Sequence, residues 1–451
     1  MGRLFGTDGV RGVANVELTP ELAFQIGQAG AYVLAGEKGK KPKILVGKDT
    51  RISGDILESA LAAGICSVGA EVVLGGVLPT PAVAYLVRTQ GYDAGVVISA
   101  SHNSFEHNGI KYFNHEGYKL SDAIEERIEA IILDGAEEVS RPAYENIGHI
   151  SRADNLVRDY IDFAKSTVDC SFSGLKIAID CANGASCVTA EKTLKELGAE
   201  VVVLHNQPDG ININKDCGST HMETLMAYVK EHHMDAGLAF DGDADRMLAV
   251  DENGEYIDGD KIMAICALDM RERGLLPDNT VVATVMSNLG FFVMGEEQGL
   301  QIKRTKVGDR YVLEEMLEHG HKIGGEQSGH VILLEHNTTG DGLVTGLQLL
   351  SVLKRSGKKL SELAKVMQVY PQVLINAKVK NENKKEENYM AFPEIREAIE
   401  KMEAEFSGSG RVLIRPSGTE PLVRVMIEGK DETLIRKRAE ELAALMEEKL
   451  N

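Results

Sequence analysis

The sequence predicts an α/β fold with largely parallel sheets, followed by a small, separate α+β domain. Three observations carry this reading. Short runs rich in β-branched residues alternate with helical patterns over most of the chain, the arrangement that strand–helix–strand units produce. Those runs are continuously apolar rather than alternating, as in strands covered on both faces. After Tyr370-Pro371 the character changes, and a Lys/Glu/Asn-rich stretch at 380–388 reads as a solvated loop or surface helix.

The expected strands are 44–46, 95–98, 176–179, 201–204, 237–240 and 281–284. A helix should open at Thr19-Pro20-Glu21, with Thr19 as N-cap and Pro20 as its first residue. Its apolar face is Leu22, Ile26, Ala29 and Val33, and Gly36 stands near its stop. Three stretches, 45–51, 178–184 and 283–288, share a plan of apolar strand then polar or Gly-containing loop, which suggests three related α/β units. Beyond 388 come a helix, the turn Ser407-Gly408-Ser409-Gly410, strands at 412–414 and 422–426, and a closing amphipathic helix.

The bulk numbers set bounds. At about 150 residues per domain, 451 residues suggest roughly three domains, with two or four also allowed. With 43% hydrophobic and 26% charged residues, the chain has material for several cores. Lys and Arg total 49 against 69 Asp and Glu, a net charge of −20. That argues against a nucleic-acid or anionic-membrane partner. It also means that an anionic substrate would need positive charge concentrated locally. The six cysteines contain no Cys-x-x-Cys pair, so they read as reduced thiols of a cytoplasmic protein. No apolar run approaches the ~20 residues of a membrane span, and the polar, Gly-rich start lacks a secretory h-region.

Four loops carry chemistry. Ser99-Ala100-Ser101-His102-Asn103 follows an apolar strand, where α/β sheets bind ligands. Ser101 there reads as a nucleophile, a phosphate ligand or a loop-capping residue. Neighbours on an extended segment point to opposite faces, so His102 need not be its base. Lys111 lies downstream as a cation for phosphate or proton transfer. In Asp241-Gly242-Asp243-Ala244-Asp245-Arg246, three carboxylates at alternate positions share one face of an extended backbone. Their crowding calls for a hard divalent cation, Mg²⁺ or Ca²⁺. An EF-hand is excluded, because Arg246 stands where that loop needs Gly and the flanks read as strands. In Gly324-Gly325-Glu326-Gln327-Ser328-Gly329-His330, Glu326 and Ser328 could read neighbouring sugar hydroxyls. In Arg415-Pro416-Ser417-Gly418-Thr419-Glu420-Pro421, an Arg fork and a nest of donors suit phosphate, with Arg424 on the next strand.

Together, in this order, the four loops resemble the α-D-phosphohexomutase superfamily over essentially the whole chain. The resemblance implies four domains around a central cleft: three similar α/β mixed-sheet domains (1–155, 156–254 and 255–369) and a smaller, mobile α+β domain (370–451). It implies a phosphoserine at Ser101, Mg²⁺ held by Asp241, Asp243, Asp245 and an oxygen of phospho-Ser101, and a sugar-reading loop at Glu326 and Ser328. The non-reacting phosphate would be held by Arg415, Ser417, Gly418, Thr419 and Arg424. Arg11, His102 and Lys111 would surround the phosphoserine. Arg246 would contact the metal loop or that phosphate. Lys111, or otherwise His330, would act as general base, with its pKa lowered by its surroundings.

Finer features are similar to the superfamily's bacterial amino-sugar branch: Phe5-Gly6-Thr7-Asp8-Gly9-Val10-Arg11-Gly12, Pro208-Asp209-Gly210-Ile211-Asn212-Ile213-Asn214 with Cys217-Gly218-Ser219-Thr220-His221, and Val307-Gly308-Asp309-Arg310. Ser104 stands where many relatives have Pro. The implied reaction interconverts glucosamine 6-phosphate and glucosamine 1-phosphate through glucosamine 1,6-bisphosphate, feeding UDP-N-acetylglucosamine and cell-wall precursor synthesis. The rivals are a phosphomannomutase/phosphoglucomutase, a metal-dependent phosphatase, and a catalytically silent sugar-phosphate binder. A homodimer is left open.

Overall fold

The computed structural model describes residues 3–6, 8–34, 41–417 and 421–451, so the expected stop at Gly36 lies outside the described residues. The chain divides into two compact units, one of Met1–Met286 with Gln301–Val366, the other of Ser287–Leu300 with Met367–Asn451.

The first unit holds three mixed sheets. The first contains β1 (Val10–Val13), β2 (Lys43–Lys48), β3 (Glu71–Val77), β4 (Ala94–Ile98), β5 (His107–Asn114) and β6 (Ile150–Arg152), in the order β1-β5-β4-β2-β3-β6. The second contains β7 (Lys176–Asp180), β8 (Glu200–Leu204), β9 (Ala236–Phe240), β10 (Met247–Asp251) and β11 (Tyr256–Ile257), in the order β11-β10-β9-β7-β8. The third contains β12 (Thr280–Thr284), β13 (Gln301–Thr305), β14 (Ile323–Gly325) and β15 (Val331–Leu333), in the order β13-β12-β14-β15. Each has a parallel part and an antiparallel return, so the parallel pairing expected from sequence describes only part of each sheet.

All six expected strands form. β4, β9 and β12 are buried along their whole length and lie inside their sheets, which is why they read as unbroken apolar runs. β8 departs from the expectation: it is an edge strand and only half-buried. Pro20–Leu34 forms the expected helix, with Thr19 Oγ1 accepting from Leu22 N at 3.2 Å. Ile26 and Ala29 enter the core, with Leu22 and Val33 packed at its margin. Among the described residues no helix is long and apolar enough to cross a membrane.

The second unit is an antiparallel sheet of β16 (Gln372–Lys378), β17 (Gly410–Pro416) and β18 (Leu422–Gly429), in the order β16-β18-β17. The helices Pro393–Phe406 and Glu432–Leu450 send Ile395, Ile399, Phe406, Ile435 and Met446 into its core. The Lys/Glu/Asn-rich stretch becomes short helical turns at Asn381–Asn383 and Glu386–Tyr389.

Candidate active site

Three of the four loops occupy one structural position. The serine loop follows β4, the acidic loop follows β9, and the Glu326 loop follows β14. Each strand pairs in parallel on one side and antiparallel on the other. Each loop is therefore the return from a parallel strand into its antiparallel neighbour, at the carboxyl end where such sheets bind ligands.

The serine loop is a turn. Ser101 has φ 52°, a left-handed conformation that a non-glycine residue keeps only when its surroundings enforce it. They do so through Arg51, from the loop after β2. Its fully buried guanidinium donates to the carbonyls of Ser101 (3.0 Å), Asn103 (2.8 Å), His107 (3.0 Å) and Ser104, and to Asp49 (2.8 Å). Asp49 also accepts from Ser99 Oγ at 2.6 Å, and Ser99 Oγ accepts from Ser101 N at 2.9 Å. Asn214 donates to the Ser101 and Asn103 carbonyls at 2.8 and 2.9 Å. A Cβ on Gly242 would lie 2.5 Å from Ser101 O, so only glycine allows the acidic loop this close.

The turn corrects the picture of opposite faces: His102 Nδ1 lies 3.4 Å from Ser101 Oγ. That nitrogen, however, is 3.1 Å from Arg246, which donates to it. Burial, with Arg246 and Arg11 nearby, lowers the imidazole to about 4. His102 is thus neutral, and its Nδ1 lone pair is engaged. Ser101 Oγ instead donates to Asp241 Oδ2 at 2.6 Å.

Asp241, Asp243 and Asp245 are buried, and one carboxylate oxygen from each lies within 4.8 Å of the others. They converge through a turn with Ala244 at φ 58° rather than along an extended strand, which revises the alternation argument. Burial, then the charges of Asp245 and Asp243, pushes Asp241 well above the usual carboxylate range. Asp243 Oδ1 and Asp245 Oδ1 are buried with no hydrogen-bond partner among the described residues. Unpaired buried carboxylate oxygens are costly, and an all-oxygen donor set fits a hard cation such as Mg²⁺.

Lys111, 1% exposed, lies 2.8 Å from Asp243, 2.9 Å from Asp8 and 3.8 Å from Asp245. Burial alone would lower its pKa, but those carboxylates outweigh burial and hold it above the ordinary lysine range. The lowered pKa expected of a general base is therefore not what this arrangement provides. His330 is 3.6 Å from Asp245 and 3.4 Å from Asp309. Burial opposes its protonation and the two carboxylates favour it, with a net upward shift. The Gly340 amide, donating to Nε2 at 3.1 Å, favours the neutral ring with its proton on Nδ1.

Asp8, Lys119 and Asp309 had no assigned role in the sequence. Asp8 joins Lys111 to Lys119, at 2.9 and 2.6 Å, and also accepts from Arg11; Lys119 meets Asp309 at 2.6 Å. Asp8 and Asp309 sit within the stretches 5–12 and 307–310, but no residue type or spacing signals a link between positions 8, 119 and 309. A cavity of ≈ 520 Å³ is lined by these groups with Arg11, His102, Arg246, Glu326 and His330. Its cations alternate with Asp8, Asp245 and Asp309, so the expected concentration of positive charge is here a paired network. Glu326 Oε1 accepts from Gly308 N at 3.2 Å. Ser328 is exposed and does not line this cavity.

In the second unit, Arg415 on β17 stands directly opposite Arg424 on β18. Burial and the charge of Arg424 lower the Arg415 pKa. Ser417 is buried, and its amide donates to Leu422 O at 2.9 Å. Gly418 and Thr419 lie outside the described residues.

Four family models match the chain in order: phosphoglucomutase/phosphomannomutase alpha/beta/alpha domain I at 2–139, domain II at 158–254, domain III at 258–370 and the C-terminal domain at 374–445. The chain is 64% identical over 450 residues to the phosphoglucosamine mutase of Acetivibrio thermocellus and 63% identical over 451 residues to that of Ruminiclostridium cellulolyticum, covering 100% of both chains in each case. A phosphoglucomutase/phosphomannomutase family protein from Burkholderia thailandensis shares the fold, with TM-score 0.80, 24% identity and coverage of 99% and 98%. So does Aspergillus fumigatus N-acetylphosphoglucosamine mutase, solved with GlcNAc-6P and magnesium, with TM-score 0.67, 16% identity and coverage of 100% and 96%. Four matching domains and full-length likeness at this level place the chain in the phosphoglucomutase/phosphomannomutase family of α-D-phosphohexomutases.

Proposed function

We propose that the chain interconverts glucosamine 6-phosphate and glucosamine 1-phosphate, with Ser101 as phosphoryl carrier and glucosamine 1,6-bisphosphate as intermediate. The carrying observation is the buried Ser101 hydroxyl, 2.6 Å from Asp241, within a chain similar over its full length to phosphoglucosamine mutases.

In the forward half-reaction the bond between phosphorus and Ser101 Oγ breaks. A bond from phosphorus to the sugar hydroxyl forms, and that hydroxyl gives up its proton. In the second half the sugar O–P bond at the other end breaks, that phosphorus bonds to Ser101 Oγ, and the released sugar oxygen takes up the proton lost in the first half. Mg²⁺ held by Asp241, Asp243, Asp245 and a phosphoserine oxygen would neutralise charge on the transferring group. Phosphoryl transfer depends mainly on positioning and charge neutralisation. Arg51 and Asn214 fix the Ser101 backbone for it. Lys111 and Arg11 supply positive charge to the phosphoserine, and Arg246 keeps His102 Nδ1 engaged. Lys111 becomes a proton acceptor once the negative charge of the triad is countered; His330 is the other candidate. Glu326 accepts from a sugar hydroxyl, with Ser328 assigned to the same task. Arg415, Ser417, Gly418, Thr419 and Arg424 hold the phosphate that does not react, whose binding orients the reacting end.

Intact mass with peptide mapping tests the carrier: a fraction of the purified chain should carry phosphate on Ser101, and phosphate on Ser99 or Ser104 instead would displace it. Coupled assays on glucosamine, glucose and mannose phosphates test the substrate. Faster turnover of a glucose or mannose phosphate overturns the assignment, and net phosphate release marks a phosphatase.

A further inference from the structure

The helix Asp309–His319 lines the cavity at its start through Asp309, and it ends far from it. Ten residues at about 1.5 Å each put its last turn roughly 15 Å away. There Glu315 and His319, one turn apart, stand on the same helix face. Gly320 ends the helix with φ 74°, and His321 follows just before β14.

His321 is the anomaly. It is 5% exposed, and neither ring nitrogen has a hydrogen-bond partner among the described residues. Buried polar side chains are nearly always paired, so an exception calls for a cause. Glu315 and His319 of the helix end lie beside it. Glu315 Oε1 lies 3.2 Å from His319 Nδ1 and 4.0 Å from His321 Nε2. The two imidazoles stack with centroids 5.7 Å apart and planes 14° apart. One ligand atom from each of the three residues lies within 4.8 Å of the others. Burial lowers the His321 pKa. Among the charges that act on it, Glu315 and Asp278 favour a positive charge, while His319 and Lys303 oppose one.

We propose that Glu315, His319 and His321 form a second cation site, one for a borderline divalent metal such as Zn²⁺, separate from the acidic triad. Two imidazoles and one carboxylate select differently from three carboxylates: nitrogen ligands suit zinc and its neighbours, while oxygen-only sites suit magnesium. The site joins the end of the helix to the residue that leads into β14. Asp309 opens the helix and Glu326 follows the far end of β14, and both line the cavity. A bound cation would brace the pair and hold those residues in register.

The test is a Zn²⁺ titration of the full chain against a chromophoric chelator, in excess Mg²⁺ to occupy the carboxylate triad. One zinc per chain is expected, with affinity falling about tenfold or more in His319→Gln and in Glu315→Gln, positions exposed enough for the fold to tolerate. Zinc should also raise the Tm of the parent chain by more than that of His319→Gln. No zinc retained in excess Mg²⁺, equal affinity in the parent and His319→Gln, or equal Tm shifts in both would each overturn the site.

Discussion

The serine loop of the first unit and the arginine strand pair of the second present charge in opposite ways. Around Ser101 and Lys111 the cations are buried or half-buried and already paired: Arg51 with Asp49, Lys111 with Asp243 and Asp8, Lys119 with Asp309. On β17 and β18, Arg415 and Arg424 face each other with like charge. The first arrangement fixes geometry before a ligand arrives, so its residues should matter to both folding and turnover. In the second, the charge of Arg424 acts against Arg415, and in the phosphate-holding role proposed for them these residues should matter more to binding than to folding.

The comparison can be tested at four places. The largest effect belongs to Ser101→Ala, which should lower kcat on the order of 10⁴-fold or more while phosphosugar binding persists. A coupled assay beside calorimetric binding checks it, and retained turnover would break the carrier assignment. Next is Arg51→Lys. A lysine keeps the charge but cannot span Asp49 and four carbonyls, and disrupting a buried pair costs about 3 kcal/mol or more. Denaturant unfolding should show that loss, and kcat should fall with it; a stable, fully active variant would mean the loop holds its own shape.

The third effect is one of pH. His102 titrates at about 4 in the folded chain against 6.5 ordinarily. Between those values the unfolded chain binds the proton first, so stability is full above 6.5 and falls as pH drops toward 4. With its partial exposure, about 2 kcal/mol rides on this group. Tm followed from neutral pH downward should fall less steeply in His102→Gln, and an unchanged slope would assign the limb elsewhere. The smallest effect is that of Arg415→Gln. KM for the phosphosugar should rise about tenfold, or ~1.4 kcal/mol, while Tm holds or rises slightly as cross-strand repulsion is relieved. A destabilised Arg415→Gln would erase the contrast between the two regions.

Much of this was legible in the sequence, and for local reasons. Interior strands such as β4, β9 and β12 announce themselves because both faces are covered and every residue must be apolar. Edge strand β8 reads the same way yet is half-buried, because its Val-rich run reports strand preference and not position in the sheet. The acidic triad was legible as a cluster, but the alternation argument gave the wrong geometry: a turn, with Ala244 at φ 58°, brings the carboxylates together. His102 beside Ser101 looked like a base or a bystander. Nothing local showed that Arg246, 144 positions away, engages its Nδ1.

By itself, then, the sequence determined the strands, the helix starts, the four loops and the kinds of chemistry their residues allow, since each depends on neighbours along the chain. Only the tertiary structure decided that Ser101 donates to Asp241, that Lys111 is held charged, that Asp8, Lys119 and Asp309 form one network, and that His321 is buried with no hydrogen-bond partner among the described residues. The reason is that electrostatic and hydrogen-bond energies depend on distance through space, and the groups that set them here are tens to hundreds of residues apart.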